Sequence, residues 1–297
     1  MHKYLRSIGF SSIKTRTEFD RLLEFIMEQD NSKQVIDIDQ NISFTEIRWM
    51  ISESMGICLR GEIDEGGRFH LEHYFPYLES NIISTTDHIL ISHRVDTEAL
   101  IGMCDDYRLG VSLIFYIQNI VDYMKKSKVM NLSQKKHTIC LSGLCLEGKV
   151  LMPVQLSSCA EKFKRMDPKH RNKLIAEAKK GNQEAIDSLT IDDIDLYAII
   201  SRRIRYEDLY SIVETSFIPF GSESDNYTII GTILDVEEIE NKYTKEKVYR
   251  LEIDCNDIIF QVCVNKNNLF GEPLSGRRFK GDIWMQAKID YNEGNDF

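Results

Sequence analysis

Phe19, Leu22, Leu23 and Ile26 recur at the spacing of one helix face, and Thr15-Arg16-Thr17-Glu18 stands ahead of them. A Thr that covers the amide three residues on, with a Glu reaching back, is a capping box, so the pattern predicts an amphipathic helix over 16–29. Val35-Ile36-Asp37-Ile38 reads as a short strand. From there to about residue 154 the periodicity is that of strands. Gly56–Ile63 and Arg68–Tyr74 flank Asp64-Glu65-Gly66-Gly67, a hairpin turn in which glycine supplies positive φ. His88–His93 is a further strand. Ala99–Cys104 and Leu109–Ile117 flank a second turn at Asp105–Arg108, and the β-branched and aromatic content of the second arm favours strand over helix. Asn119 is placed to cap a short helix to about Lys126. Thr138–Leu146 and Lys149–Val154, around Glu147-Gly148, predict a third hairpin.

Residues 157–215 change character. Asp167-Pro168 has the form of an N-cap followed by a proline in the first helical turn. Gly181 is a natural helix stop and Asn182 a cap for the next helix. Thr190-Ile191-Asp192-Asp193 is a further helix start, with acids where the dipole favours them.

Strand patterns return at Tyr227–Val236, Val248–Asp254, Ile258–Val264 and Gly281–Ile289, with turns at 241–247 and Asn256-Asp257. Four strands with an early glycine, Gly231, suggest a small barrel of the OB type, with a fifth strand assumed. The fold class expected is therefore α+β: an N-terminal antiparallel sheet with helices, a helical middle segment and a small C-terminal β-barrel. The corresponding division is 1–155, 156–220 and 221–297. No repeat at a 20–50 residue period is present.

Composition narrows the class. The hydrophobic share is 42% and the charged share 28%, ordinary values for a chain that buries a core. With 37 basic and 47 acidic residues the net charge is −10, which discourages non-specific attachment to nucleic acid or anionic membrane. The start, MHKYLRSIGFSS, is not followed by an apolar export segment, and no apolar run approaches the roughly 20 residues a membrane helix needs. A cytoplasmic protein with no membrane partner is expected, its seven cysteines being reduced thiols.

Candidate chemistry is sparse. Gly143-Leu-Cys-Leu-Glu-Gly148-Lys149 has the spacing of a phosphate-binding loop, but Val150 stands where a Ser or Thr would hold magnesium, and strand rather than helix follows. His137, Cys140, Cys145 and Cys159 lack the tight pairs of a structural zinc site. His70 and His73 differ by three along a strand and point to opposite faces. No nucleophile elbow or dinucleotide fingerprint exists, and no motif calls for a cofactor or a metal.

The site candidates fall into three groups. Asp192, Asp193 and Asp195, with Glu223 and Asp225, are acids that could face a cation or a partner; the plainer reading of the first three is a negative helix N-terminus. Arg202 and Arg203, beside Arg205, could grip a phosphate or carboxylate, or form a solvated helix face. Arg277, Arg278, Phe279 and Lys280 are the one local basic stretch with an aromatic in the last domain, as in single-strand binders. Residues 224–291 nevertheless carry nine Lys or Arg against twelve Asp or Glu, 9 − 12 = −3, which argues against nucleic acid and for a glycine-bounded turn.

The text from Ser188-Leu-Thr-Ile-Asp-Asp-Ile-Asp-Leu-Tyr197 through Glu207-Asp-Leu-Tyr-Ser-Ile-Val-Glu-Thr215 to Ile218-Pro-Phe-Gly-Ser-Glu-Ser-Asp225 is distinctive. With the opening Met1–Phe10 and His73-Tyr-Phe-Pro-Tyr77 it resembles, over the whole chain, an uncharacterised bacterial family known only as a domain of unknown function. That family's pattern has Tyr at the position of Phe220 and Cys at that of Ser224, which implies that neither phenol nor thiol is essential there. The resemblance implies a bacterial cytoplasmic protein and supplies no catalytic residues. The expectation is a non-enzymatic binding or regulatory protein acting through a protein or small-molecule partner. The alternatives are single-stranded nucleic-acid binding through the barrel, or an enzyme of unknown reaction, metal-dependent if Asp192, Asp193, Asp195, Glu223 or Asp225 bind a cation.

Overall fold

The computed structural model describes residues 1–29, 32–39, 42–93, 99–106, 108–128, 132, 135–154, 173–174, 177–178, 180–190, 209–220 and 224–291. The chain opens with a 3-10 helix, Lys3–Ile8, stopped by Gly9 in the left-handed region at φ 87°. Helix α1, Arg16–Glu28, follows with the expected capping box: Thr15 Oγ1 accepts from Glu18 N at 3.2 Å, and Glu18 accepts from Thr15 N at 3.0 Å. Its apolar face, Phe19, Leu22, Leu23 and Ile26, is buried.

Strands β1 (Ser32–Asp39), β2 (Ile42–Met50), β3 (Met55–Ile63) and β4 (Phe69–Leu78) form a four-stranded antiparallel sheet in sequence order. The β3–β4 turn is the expected one, with Gly67 at φ 76°. Strand β2 had no clear signature, because Ser43, Thr45, Glu46 and Arg48 break the apolar alternation.

Among the described residues the second sheet has eleven strands. Residues 88–93 do not form one strand: β5 (Thr85–His88) joins one neighbour and β6 (Leu90–His93) another. Strands β7 (Leu100–Asp106) and β8 (Val111–Ile117) are the expected hairpin. Helix α2, Ile120–Ser127, begins after Asn119, whose side chain caps no helix amide but binds Asp122 Oδ2 and the backbone of Ile289.

Strand β9, Lys136–Leu151, is 16 residues long and continuous. The hairpin expected at Glu147-Gly148 does not exist. Both halves stay in one strand because they pair with one partner, β15 (Arg278–Asp290), along almost its whole length. Strand β9 also runs parallel to β13 (Ile258–Asn265) and takes β5 and β14 (Leu269–Phe270) at its ends.

Strands β11 (Asn226–Glu240) and β12 (Lys247–Cys255) complete the sheet, with β10 (Ser216–Pro219) on the edge of β11. The β12–β13 turn puts Asn256 and Asp257 at φ 55° and 61°, the geometry of a tight two-residue hairpin. Strand β11 bends at Ile233–Asp235, pairing its first half with β15 and its second with β12.

These ladders overturn the α+β expectation. The described residues are mostly strand, in one four-stranded antiparallel and one large mixed sheet. The C-terminal strands form no barrel of their own, since β13 and β15 are joined through β9 from the first half of the chain. Most of the expected helical middle, including Asp167-Pro168, lies outside the described residues. What is described there is a helical run at 183–190 (α3), entered through Gly181 at φ 86° and an Asn182 cap, and the single turn α4, Leu209–Ile212. Among the described residues these make no helical layer. A parallel ladder such as β9–β13 leaves no turn in the sequence, so neighbours along the chain do not announce it.

Two buried clusters follow. One lies on one face of the large sheet and draws on β8, β9, β11, β12, β13 and β15, with Phe115, Leu141, Phe260, Val262, Phe279 and Met285 among its members. The other joins the opposite face (Tyr116, Leu144, Val248, Cys263, Trp284) to the small sheet, α1 and the 3-10 helix. None of the described helices is long and apolar enough to cross a membrane.

Two substitutions test this packing by urea unfolding. Thr15→Ala should cost about 1 kcal/mol by removing the cap. Gly231→Ala should cost more, because its Cβ would lie 2.5 Å from Ile253 Cγ2 and 2.7 Å from the Asp254 carbonyl oxygen. Equal midpoints for Gly231→Ala and the native chain would contradict the close approach of β11 and β12.

Candidate functional site

Where the two sheets meet, the chain's first residues close over a pocket of about 360 Å³. Its lining comes from widely separated elements: His2, Lys3 and Tyr4 from the N-terminus, His73 from β4, Tyr116 from β8, Asp225 and Asn226 at the start of β11, and Trp284 from β15, with Ala99. Trp284 is the hub. Its ring stacks with Tyr4 at 5.4 Å between centroids and lies 4.8 Å from His2 and 5.1 Å from Tyr116.

Hydrogen bonds hold the walls. Trp284 Nε1 donates to Asp225 Oδ2 at 2.8 Å, Asn226 Nδ2 to Asp225 Oδ1 at 3.0 Å, and the Tyr4 hydroxyl to Asn226 Oδ1 at 2.6 Å. His2 is anchored through its backbone N–H, which donates to the Tyr74 hydroxyl at 2.9 Å. Behind Tyr116 lies a buried ion cluster. Arg60 donates to the Tyr116 hydroxyl at 2.8 Å, to Glu46 Oε2 at 2.9 Å and to the Gln118 carbonyl at 2.6 Å, and its guanidinium stacks on Phe75. Arg48 takes the other Glu46 oxygen at 2.7 Å. Burial opposes the Glu46 charge, yet Arg60 and Arg48 hold its carboxyl below the ordinary range.

The two imidazoles are the unusual members. Burial, with His73, Lys3 and the N-terminal ammonium nearby, lowers the His2 pKa from 6.5 to about 4. Burial and the Arg60 charge lower that of His73 to about 4 as well. Both rings are therefore neutral near pH 7. His2 Nδ1 and His73 Nε2 are buried and have no hydrogen-bond partner among the described residues. Leaving such atoms unpaired in a buried setting is costly.

The phenols of Tyr4 and Tyr116 are pushed up by burial and stay protonated. The nearby Cys145 thiol is pushed up to about 12, again by burial first, so it is no nucleophile. Among the described residues no group of three or more His, Cys, Asp or Glu could hold a metal ion.

Of the candidates expected from the sequence, only Asp225 reaches this pocket, and it is buried. Asp192, Asp193, Asp195, Arg202, Arg203 and Glu223 lie outside the described residues. Arg278 is buried and clips the chain together, donating to the Met152 carbonyl at 2.8 Å, the Tyr210 carbonyl at 2.5 Å and the Val213 carbonyl. Phe279 is wholly inside the core and offers no face to a base. Arg277 binds the Glu272 carbonyl at 2.7 Å, and Lys280 sits over the Tyr210 ring. Gly143 and Gly148 belong to the β9 ladder, so Gly143–Lys149 forms no phosphate loop. His70 pairs with Asp64 on the exposed side, whereas His73 turns into the pocket, so the two do part company across the strand.

Residues 5–287 match the model of a family described as a domain of unknown function, E. rectale gene description (DUF3881). The chain belongs to this family. His73, Tyr116, Asp225, Asn226 and Trp284 fall within the part that the DUF3881 model matches, and His2 and Tyr4 just ahead of it. No curated protein and no solved structure matches the chain.

The lowered histidine pKa values carry a stability consequence. The unfolded chain takes up protons near 6.5 while the folded one resists to about 4, so stability present above pH 6.5 is lost as pH falls through that window. His73→Phe should flatten the decline in urea midpoint between pH 6.5 and 4. An unchanged slope would mean that His73 is not held neutral. Glu46→Gln should destabilise by about 3–5 kcal/mol at pH 7, because it strands the buried Arg60 guanidinium, and the same titrations read it.

Proposed function

We propose that this protein is a cytoplasmic, non-enzymatic binding or regulatory protein whose ligand is a small molecule held in the His2–Tyr4–His73–Tyr116–Trp284 pocket. The observation that carries this reading is a pocket of about 360 Å³ walled by the rings of His2, Tyr4, His73, Tyr116 and Trp284, where both sheets meet the N-terminal residues. Ligand pockets combine such apolar walls with a few convergent polar groups, and 360 Å³ lies at the small end of their usual range. The neutral imidazoles and protonated phenols suit hydrogen bonding better than proton transfer near pH 7. The six described cysteines are free thiols, the state that a reducing compartment maintains. The nucleic-acid alternative loses its stacking residue, since Phe279 is in the core.

The test is a native mass spectrum of gently purified protein, before and after denaturation, beside a thermal-shift screen with a cell metabolite extract. Added mass that leaves on denaturation, or stabilisation by the extract, is expected for the native chain. Both should be absent from a folded His73→Phe variant. A ligand at a hundred times its Kd would add about 2.7 kcal/mol. A clean mass with no response to the extract would sink the reading, as would turnover of a defined substrate abolished by a single pocket substitution.

A further inference from the structure

Another cavity, sharing no lining residue with the aromatic pocket, lies where helix α2 meets the ends of β9 and β15, and its volume is about 540 Å³. We propose that it binds a small zwitterion, one ammonium and one carboxylate on a short carbon frame, the chemical class of a free amino acid. This site is independent of the aromatic pocket and of the role given to it. Its size falls within the usual range of ligand pockets, roughly 300–1,000 Å³.

Asp122 and Lys126 stand four residues apart on α2, the acid ahead of the base, the order in which such pairs close most readily on a helix. Here the pair stays open. Asp122 Oδ2 accepts from Asn119 Nδ2 at 3.0 Å, and Lys126 Nζ donates to the Tyr291 carbonyl at 2.6 Å. Among the described residues neither has an ion-pair partner. Asp290, at the end of β15, is exposed, and its carboxylate has no hydrogen bond or ion pair among the described residues. Asp122, Lys126 and Asp290 all line the cavity, so it presents charges of both signs that the chain itself does not neutralise.

The balance of those charges sets the ligand class. Among the described residues the lining carries two carboxylates, Asp122 and Asp290, and two ammoniums, Lys126 and Lys288. Lys288 is committed to Glu79, which also holds Arg48. An anion drawn to Lys126 would share the cavity with both carboxylates, and a cation drawn to the carboxylates would share it with both lysines. A zwitterion meets each sign with its opposite. Water reaches these groups: Asp122 and Lys126 are half-buried, and the Lys288 side chain is 39% exposed. A single ion pair so placed is weak, so binding needs both ends of the ligand at once.

The experiment uses the full-length protein near pH 7 and at low salt, with Kd values from calorimetry and the backbone amides of 119–126 and 288–291 followed by NMR. The probes are leucine, glutamine and phenylalanine, each beside its N-acetyl form (an anion), its carboxamide (a cation) and its N-acetyl carboxamide (uncharged). At least one of the three zwitterions should move the amides of both segments and bind about tenfold or more tighter than each of its own derivatives. Asp290→Asn, at an exposed position, and Lys126→Gln, which keeps a donor for the Tyr291 carbonyl, should each weaken that zwitterion about tenfold or more while the melt stays cooperative. His73→Phe, which alters the aromatic pocket alone, should leave its affinity unchanged. A derivative with one charge or none that binds as tightly and moves the same amides would overturn the zwitterion class. Unmoved amides with all three zwitterions, or undiminished affinity in either charge variant, would overturn the site. Neither result bears on the aromatic pocket, which is read through His73→Phe.

Discussion

Strand β9 is the constraint on which the rest of the molecule depends. It is hydrogen-bonded on both edges, to β13 and to β15, and its side chains enter both buried clusters. Its middle, Leu141–Cys145, is buried on both faces, whereas Lys136, Glu147 and Lys149 towards its ends are exposed. It also explains the glycines that imitate a phosphate loop. A Cβ on Gly148 would lie 2.5 Å from Phe279 Cε2, and one on Gly143 would lie 3.0 Å from Ile283 Cδ1. Both absences of a side chain make room for large residues of β15. Through β9 the first and last thirds of the chain share one sheet, so folding the C-terminal strands requires a segment made more than a hundred residues earlier.

The two sheets are joined by more than apolar contact. Gln118 Nε2 donates to the Leu78 carbonyl at 2.8 Å and to Gln286 Oε1 at 2.7 Å, while Ser142 and Gln286 Nε2 bind the Leu78 and Pro76 carbonyls at 2.6 and 2.8 Å. Beside this network the Glu46–Arg60 pair, almost fully shielded from solvent, reaches across to the Gln118 carbonyl and the Tyr116 hydroxyl. Apolar surfaces slide with little penalty, whereas buried polar groups must meet specific partners or lose a large part of their solvation energy. These contacts therefore fix the register between the layers. They also place Tyr116, which forms part of the pocket wall.

The pocket inherits its chemistry from that junction. Burial and the positive charges of Arg60, Lys3 and the N-terminus keep both imidazoles neutral, while Trp284 and Asn226 hold the Asp225 carboxylate. The outcome is a small aromatic chamber with hydrogen-bonding capacity and suppressed proton affinity. Those properties are what the proposed binding role draws on. They are poorly matched to general acid catalysis, which needs a group that titrates near the working pH.

What the amino-acid sequence determined by itself was local. The Thr15–Glu18 capping box, the Asp64–Gly67 turn, the Asn256-Asp257 hairpin and the strand patterns of the last seventy residues each depend on neighbours a few positions away, and each is where the periodicity places it. The family, too, was legible over most of the chain's length. Tertiary structure alone decided which strands pair. The parallel contact of β9 with β13 and the return of β15 to β9 carry no turn between them, so nothing local announces them. The candidate site was hidden for the same reason. His2, His73, Tyr116, Asp225 and Trp284 are ordinary residues on five separate segments, and only the packing of two sheets against the N-terminus gives them a common cavity.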